Sequence, residues 1–326
     1  MKVAQVENDI LAVKTLEDVT LDDRKGAIVK VLGCGLCGSD IVKLKNHLAN
    51  NGTVLGHEIV GKIIDIKSDT NFKKDDIIVS SHHIPCGKCE YCKNGNVSMC
   101  RHFKQTNIIP GGFSQYIFLS EEHLQNVAYL KPKNLTEIEA SFYEPLGCCV
   151  RAVKRACLPP NSTALVIGLG SIGILMAQAL KSFGMNVIGC DLIQSRVELL
   201  KNLGIEAFNV IEICESIKAD GVFMTSGSDK AIETALKYVR DGGKILVFSS
   251  TPNNFGYQNN EIYYRELTVL GSYSPSPADL KLSLSLLETK RVKVSALSTV
   301  YNLDDIQQAI NDTVSNKILK AYIKMH

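Results

Sequence analysis

The stretch STALVIGLGSIGILMAQALKSFG, from Ser162 to Gly184, restricts the fold more than any other part of the chain. It sets a short apolar run, Ala164 to Ile167, directly before the turn Gly168-Leu169-Gly170-Ser171-Ile172-Gly173, and that turn directly before a helical pattern reaching about Phe183. An apolar run of this length that leads into a glycine turn and a helix reads as a buried parallel strand feeding a crossover. The alternation continues through NVIGCD as a strand, SRVELLKNLG as a helix, DGVFMTSG as a strand, KAIETALKYVRDGG as a helix and KILVFSS as a strand. RELTVLGS, from Arg265 to Ser272, closes the sheet. This order predicts a doubly wound parallel α/β sheet.

In that setting the glycine turn carries chemistry. Gly168 and Gly170 allow the tight turn and the close approach of backbone to a pyrophosphate, Gly173 lets the helix pack on the strand, and Ser171 and Ile172 complete the motif. Asp191, at the end of the next strand, can accept hydrogen bonds from an adenosine ribose diol and would repel a 2′-phosphate, which favours NAD over NADP. Arg196 lies five residues later and is the candidate for facing a phosphate, but Asp191 decides. The competing reading, a ligand-free strand–helix turn, fits the context less well.

With 326 residues the chain exceeds the comfortable size of one hydrophobic core, so a second domain is expected. From Met1 to about Leu130 the pattern is short β-like runs between turns, among them GAIVKVL, EIVGKIIDI, DDIIVSS and GGFSQYIFL. Their Val, Ile, Phe and Tyr content suits an all-β barrel or sandwich. From Thr136 the period shifts towards that of a helix, with Glu144 just ahead of Pro145 and a helix from about Leu146 to Ala156. Lys plus Arg number 36 against 34 for Asp plus Glu, without a dense basic block, which excludes nucleic acid and anionic membrane as expected partners. The N-terminal segment carries Glu7 and Asp9 and lacks the pattern of a secretory signal, so a cytoplasmic protein is expected.

Eleven cysteines are many for such a compartment and point to metal or catalysis before disulfides. Four of them, Cys86, Cys89, Cys92 and Cys100, fall within PCGKCEYCKNGNVSMC. Four thiolates on one loop can close a tetrahedron around zinc with no open position, the pattern of a structural site, and an iron–sulfur cluster is the competing metal reading. A second set lies between Gly33 and Glu58: a thiol at Cys37, a hydroxyl at Ser39, and the His57-Glu58 pair at the far end. These are the ligand types of a zinc that keeps one position open. Taken alone, the stretch reads rather as a cysteine turn and a distant surface His-Glu pair, and Glu144 rather as an ordinary helix N-terminal carboxylate.

The pieces GLCGSD with GHE, the four-cysteine loop, GGFSQY, the EPL of Glu144 to Leu146, GLGSIG with Asp191, and RELTVLGSYSPSP together resemble the zinc-containing medium-chain dehydrogenases over essentially the whole chain. The resemblance implies a GroES-like β-barrel catalytic domain at 1–147, a Rossmann NAD-binding domain at 148–285, and a segment at 286–326 that returns to the first. It implies two zinc ions per chain and NAD. Cys37 and His57 match the family's zinc ligands, Glu58 and Glu144 match carboxylates at or near that metal, and Ser39 matches the residue that takes the substrate proton. The four loop cysteines match the structural zinc site. An EPL glutamate in place of a third thiol ligand is similar to the sorbitol, threonine and related polyol dehydrogenases.

The implied activity is NAD-dependent oxidation of a secondary alcohol of a polyol or sugar derivative to a ketone. Alternatives are a threonine or amino-alcohol substrate, a polyol phosphate, or, in another class, a non-catalytic zinc-stabilised NAD-binding sensor or scaffold. Val42 stands where several relatives carry a histidine, and His47, in the short span before His57, is the nearest substitute or a solvent-exposed loop histidine. A homodimer or homotetramer is expected, through the edge strand near Leu267 to Leu270.

Overall fold

The computed structural model describes residues 1–249, 256–257 and 259–326. The end of KILVFSS, at Ser250, lies outside them. The described residues form two compact units: one of Met1–Pro145, Ser276–Glu288 and Val294–His326, the other of Leu146–Pro275 and Thr289–Lys293.

In the first unit the strand Gly26–Gly35 is the organiser. Its residues Ala27, Val29 and Val31 are fully buried, as expected of a strand that packs on its neighbours. Along one edge it pairs antiparallel with Glu58–Lys67, with Gly26 opposite Lys67 and Gly35 opposite Glu58. Its other edge is shared: Gly26–Lys30 pairs with Tyr116–Ser120, and Gly33–Gly35 pairs with Lys320–Lys324 near the end of the chain. The sheet runs Ser298–Asn302, Lys320–Lys324, Gly26–Gly35, Glu58–Lys67, Ile77–Ser80, Ala128–Leu130. One core joins Val29, Ile59, Ile63, Phe113 and Ile117 to Ile306, Ile310 and Ile323 from the tail. Burying each such side chain stabilises the unit by about 1.5–3 kcal/mol.

The second unit is a six-stranded parallel sheet in the order Glu206–Asn209, Asn186–Asp191, Thr163–Ile167, Ala219–Met224, Val239–Val247, Thr268–Gly271. The chain reverses direction across the sheet between Thr163–Ile167 and Ala219–Met224, the switch point at which doubly wound folds place ligands. Glu206–Asn209 is a strand that the sequence pattern does not announce, since only Ala207 within it is buried. The helix read through Gly243 ends at Tyr238, because Val239 is already buried in the sheet opposite Ala219.

Gly56 shows how tightly the approach to His57 is built. Its φ is +89°, and a Cβ there would stand 2.8 Å from the Phe113 amide nitrogen. Gly56→Ala is expected to cost about 1–3 kcal/mol, read as a lower Tm in thermal denaturation. An unchanged Tm would mean that the turn tolerates a side chain.

Candidate metal centres and nucleotide turn

The strand pairing of Gly35 with Glu58 decides where the first cluster forms. The chain leaves Gly26–Gly35 at Leu36 and turns into the helix Gly38–Lys45, so Cys37 becomes its N-cap. His57 precedes Glu58, the first residue of the opposing strand. Donor atoms of Cys37, His57 and Glu58 consequently lie within 4.8 Å of one another. The Ser39 amide donates to Cys37 Sγ at 3.5 Å, which fixes the sulfur at the helix N-terminus. The Ser39 hydroxyl lies on an exposed residue at the same helix end.

Asp40 completes the cap and is a functional residue that the sequence reading passes over. It is fully buried, its Oδ2 accepts from the Cys37 amide at 3.3 Å, and its Oδ1 stands 3.5 Å from His57 Nδ1. Burial alone would raise its carboxyl, but the facing His57 outweighs burial and holds it below the usual carboxylate range. The same pairing, with Cys37, raises His57 well above an ordinary imidazole despite burial. A carboxylate on Nδ1 fixes the ring and leaves Nε2 for a metal. The GSD triplet carries a signal for Asp40, an acidic residue at the third position of a capping box.

Glu58 is 1% exposed, its Oε2 is 2.5 Å from Lys320 Nζ, and neither carboxylate oxygen has a hydrogen-bond partner of good geometry. Asp40 Oδ1 is likewise buried without a hydrogen bond. Buried carboxylate oxygens left this way are costly unless a cation compensates them. A thiol, an imidazole and a carboxylate around such a spot fit zinc. Glu144 is buried in the first turn of Tyr143–Ala156, with Pro145 inside that turn, and it is not one of the three grouped donors. Its charge nonetheless acts on Lys320. His47 is exposed and pairs with Asp9 at 2.6 Å, and Val42 is 38% exposed. His82 is a further neighbour: its ring lies 4.6 Å from that of His57 and 3.9 Å from that of His83.

The four loop cysteines also come together, with donor atoms within 4.8 Å of one another. Sulfur–sulfur distances of 3.6 Å for Cys89–Cys92 and 4.0 Å for Cys86–Cys92 are non-bonded, and every cysteine is free of disulfides. Burial opposes ionisation of Cys100, yet the amides of Cys86 and Phe103 draw its thiol down to about 6. The short helices Glu90–Lys93 and Arg101–Gln105 flank the cluster and bury only Phe103 between them, so this loop has little apolar packing of its own.

In the second unit Gly170 caps the helix Ser171–Ser182, and Ser171 and Ile172 open it. A Cβ on Gly173 would meet the Gly168 carbonyl oxygen at 1.8 Å, so only glycine lets helix and turn approach this closely. Asp191 Oδ2 accepts from the Leu169 amide at 2.5 Å and Oδ1 from the Ile193 amide at 2.8 Å, which ties the acidic residue to the turn itself. Arg196 stands beside it, with Nη1 3.6 Å from Oδ2.

Comparison with known proteins follows the two units. Residues 23–129 match the alcohol dehydrogenase GroES-like domain, and residues 171–289 match the zinc-binding dehydrogenase domain. The sorbitol dehydrogenase of Halalkalibacterium halodurans is 30% identical over 315 residues, covering 90% of each chain. The D-arabitol-phosphate dehydrogenase of Enterococcus avium is 28% identical over 326 residues, covering 93% of this chain and 90% of its own. Among solved structures, an Escherichia coli oxidoreductase/dehydrogenase of unknown specificity superimposes with a TM-score of 0.87 at 26% identity, covering 100% of this chain and 98% of that one.

Elemental analysis of the purified protein is expected to find two zinc ions per chain. Cys37→Ser and Cys89→Ser should each lose one ion, and Asp40→Ala should weaken retention of the first by about 10–100-fold in chelator competition. A parent with a single ion would remove one of the two centres.

Proposed function

The chain belongs to the zinc-containing medium-chain alcohol and polyol dehydrogenases, and within that family we propose that it oxidises a secondary alcohol of a polyol or sugar derivative to a ketone, reversibly, with NAD. The observation that carries this reading is the grouping of the donor atoms of Cys37, His57 and Glu58 within 4.8 Å of one another, with His57 and Glu58 buried. Similarity to the sorbitol dehydrogenase supports the substrate class.

Cys37 and His57, with Glu58 or Glu144, would hold the catalytic zinc, and Cys86, Cys89, Cys92 and Cys100 the structural one. When bound, the catalytic zinc supplies Lewis acidity towards the alcohol oxygen, and NAD accepts the hydride. Ser39 takes the hydroxyl proton and passes it outward, which its exposed position permits. Asp40 keeps His57 in one orientation and one tautomer. Gly168, Gly170, Ser171, Ile172 and Gly173 would receive the pyrophosphate, and Asp191 the adenosine ribose. Arg196 stands beside Asp191, and it is the Asp191 carboxylate that favours NAD over a 2′-phosphorylated cofactor.

A polyol phosphate is the second reading, supported by the similarity to the D-arabitol-phosphate dehydrogenase. We propose a reducing, cytoplasmic setting, which suits eleven cysteines with no disulfide between them. Self-association into a homodimer or homotetramer is proposed through Thr268–Gly271, which ends its sheet with Val269 and Leu270 half-buried.

NADH formation across a panel of sorbitol, xylitol, arabitol, threonine and arabitol phosphate tests the assignment. Turnover of a free polyol is expected, with kcat lowered about 10²-fold or more in Ser39→Ala. Reaction with arabitol phosphate alone would favour the second reading. Silence of the zinc-loaded protein towards every polyol would sink both.

A further inference from the structure

Lys320 opens the strand Lys320–Lys324 in the alternating run KAYIK, where a lysine ordinarily faces water. Here it is 3% exposed. The register explains why: Tyr322 lies opposite Gly35, and the Leu36 amide donates to the Ala321 carbonyl at 2.9 Å, so Lys320 arrives alongside Leu36 and Cys37. Its Nζ is 2.5 Å from Glu58 Oε2 and donates to the Leu36 carbonyl at 3.2 Å. The ammonium also stands 5.7 Å from the centre of the Phe142 ring. A Cβ on Gly35 would fall 2.0 Å from Glu58 Oε2 and 3.1 Å from Lys320 Cε, so the bare glycine leaves the space in which ammonium and carboxylate meet.

The Lys320 Nζ meets the buried Glu58 carboxylate head-on, so the cation and this anion are each other's direct partners. A divalent ion held by Cys37, His57 and Glu58 would share that carboxylate with the lysine. Two cations that lean on one buried anion compete for it, and the interaction is strong where water is excluded.

We infer that Lys320 is the built-in counter-cation of this metal centre, a positioning residue that holds Glu58 when the ion is away and weakens the centre's grip on the ion when it is present. The inference rests on the reading of Cys37, His57 and Glu58 as metal ligands. Two consequences follow from charge balance. The metal-free site keeps its shape because Glu58 is never left as a lone buried charge. Removing the ammonium leaves the carboxylate with a metal as its main compensation, so the metal should be held more tightly.

Chelator competition on the zinc-loaded, full-length protein tests this, with ions per chain counted at graded chelator concentrations. K320M is expected to hold the ion at Cys37, His57 and Glu58 at least about tenfold more tightly than the parent. K320R, which keeps the charge, should stay within about threefold of the parent. The ion of the four-cysteine loop should be unaffected in all three, which reports that the fold is intact. Zinc addition should also raise the Tm of stripped K320M by more than that of the stripped parent. If K320M does not fold, the neutral K320Q carries the same expectation. Equal or easier loss of the ion from the folded neutral variant overturns the role of Lys320 while leaving the metal centre standing. A parent that loads only the cysteine-loop ion overturns the metal centre itself, and the inference with it.

Discussion

The antiparallel pairing that sets Gly35 against Glu58 is the contact on which the first unit's chemistry depends. One strand ends there and the other begins there, so the cap residue Cys37 and the preceding residue His57 meet without any long loop having to hold them. The neighbouring Lys320–Lys324 strand uses the opposite edge of the same three residues, Gly33 to Gly35. Ligands supplied by strand ends and a helix cap are held by ladder hydrogen bonds and core packing, which is more exact than a site carried on loops alone.

Charge is the second constraint. Asp40, Glu58 and Glu144 are all buried in this unit, with His57 facing Asp40 and Lys320 facing Glu58. Buried ions of this kind are poor evidence for stability, because desolvation offsets most of their attraction. They are better understood as the cost of a centre that must bind a cation and move a proton. Gly56, at φ +89° beside His57, adopts a backbone conformation that a residue with a side chain would hold only under strain.

The two metal centres differ in how much of them was legible beforehand. Cys86, Cys89, Cys92 and Cys100 sit within fifteen residues, so chain connectivity alone restricts them to one neighbourhood, and the structure gathers all four. The turn Gly168 to Gly173 was legible for the same reason: strand, turn and helix are consecutive, and a Cβ at Gly173 is excluded by an atom only five residues away. Asp191 is more distant, but parallel pairing with Thr163–Ile167 returns it beside the turn in any right-handed crossover. By contrast, the strand Glu206–Asn209 was hidden, because at an edge only one of its side chains needs burial.

Local spacing by itself therefore marked out the four-thiol loop and the glycine turn with its acidic partner, whereas Cys37, His57 and Glu58 stood out as a candidate metal site only beside the other motifs. Only the tertiary structure decided which groups meet. It placed Asp40 on His57, removed His47 to the surface with Asp9, and carried Lys320 across 262 residues to Glu58. The physical reason is that a strand's side-chain period says which residues share a face but not which strand lies next to it. Register between distant strands is set by packing of the whole core. Lys320 in KAYIK has the pattern of a solvent-facing lysine, and its burial against Glu58 and Leu36 is a property of the sheet it joins.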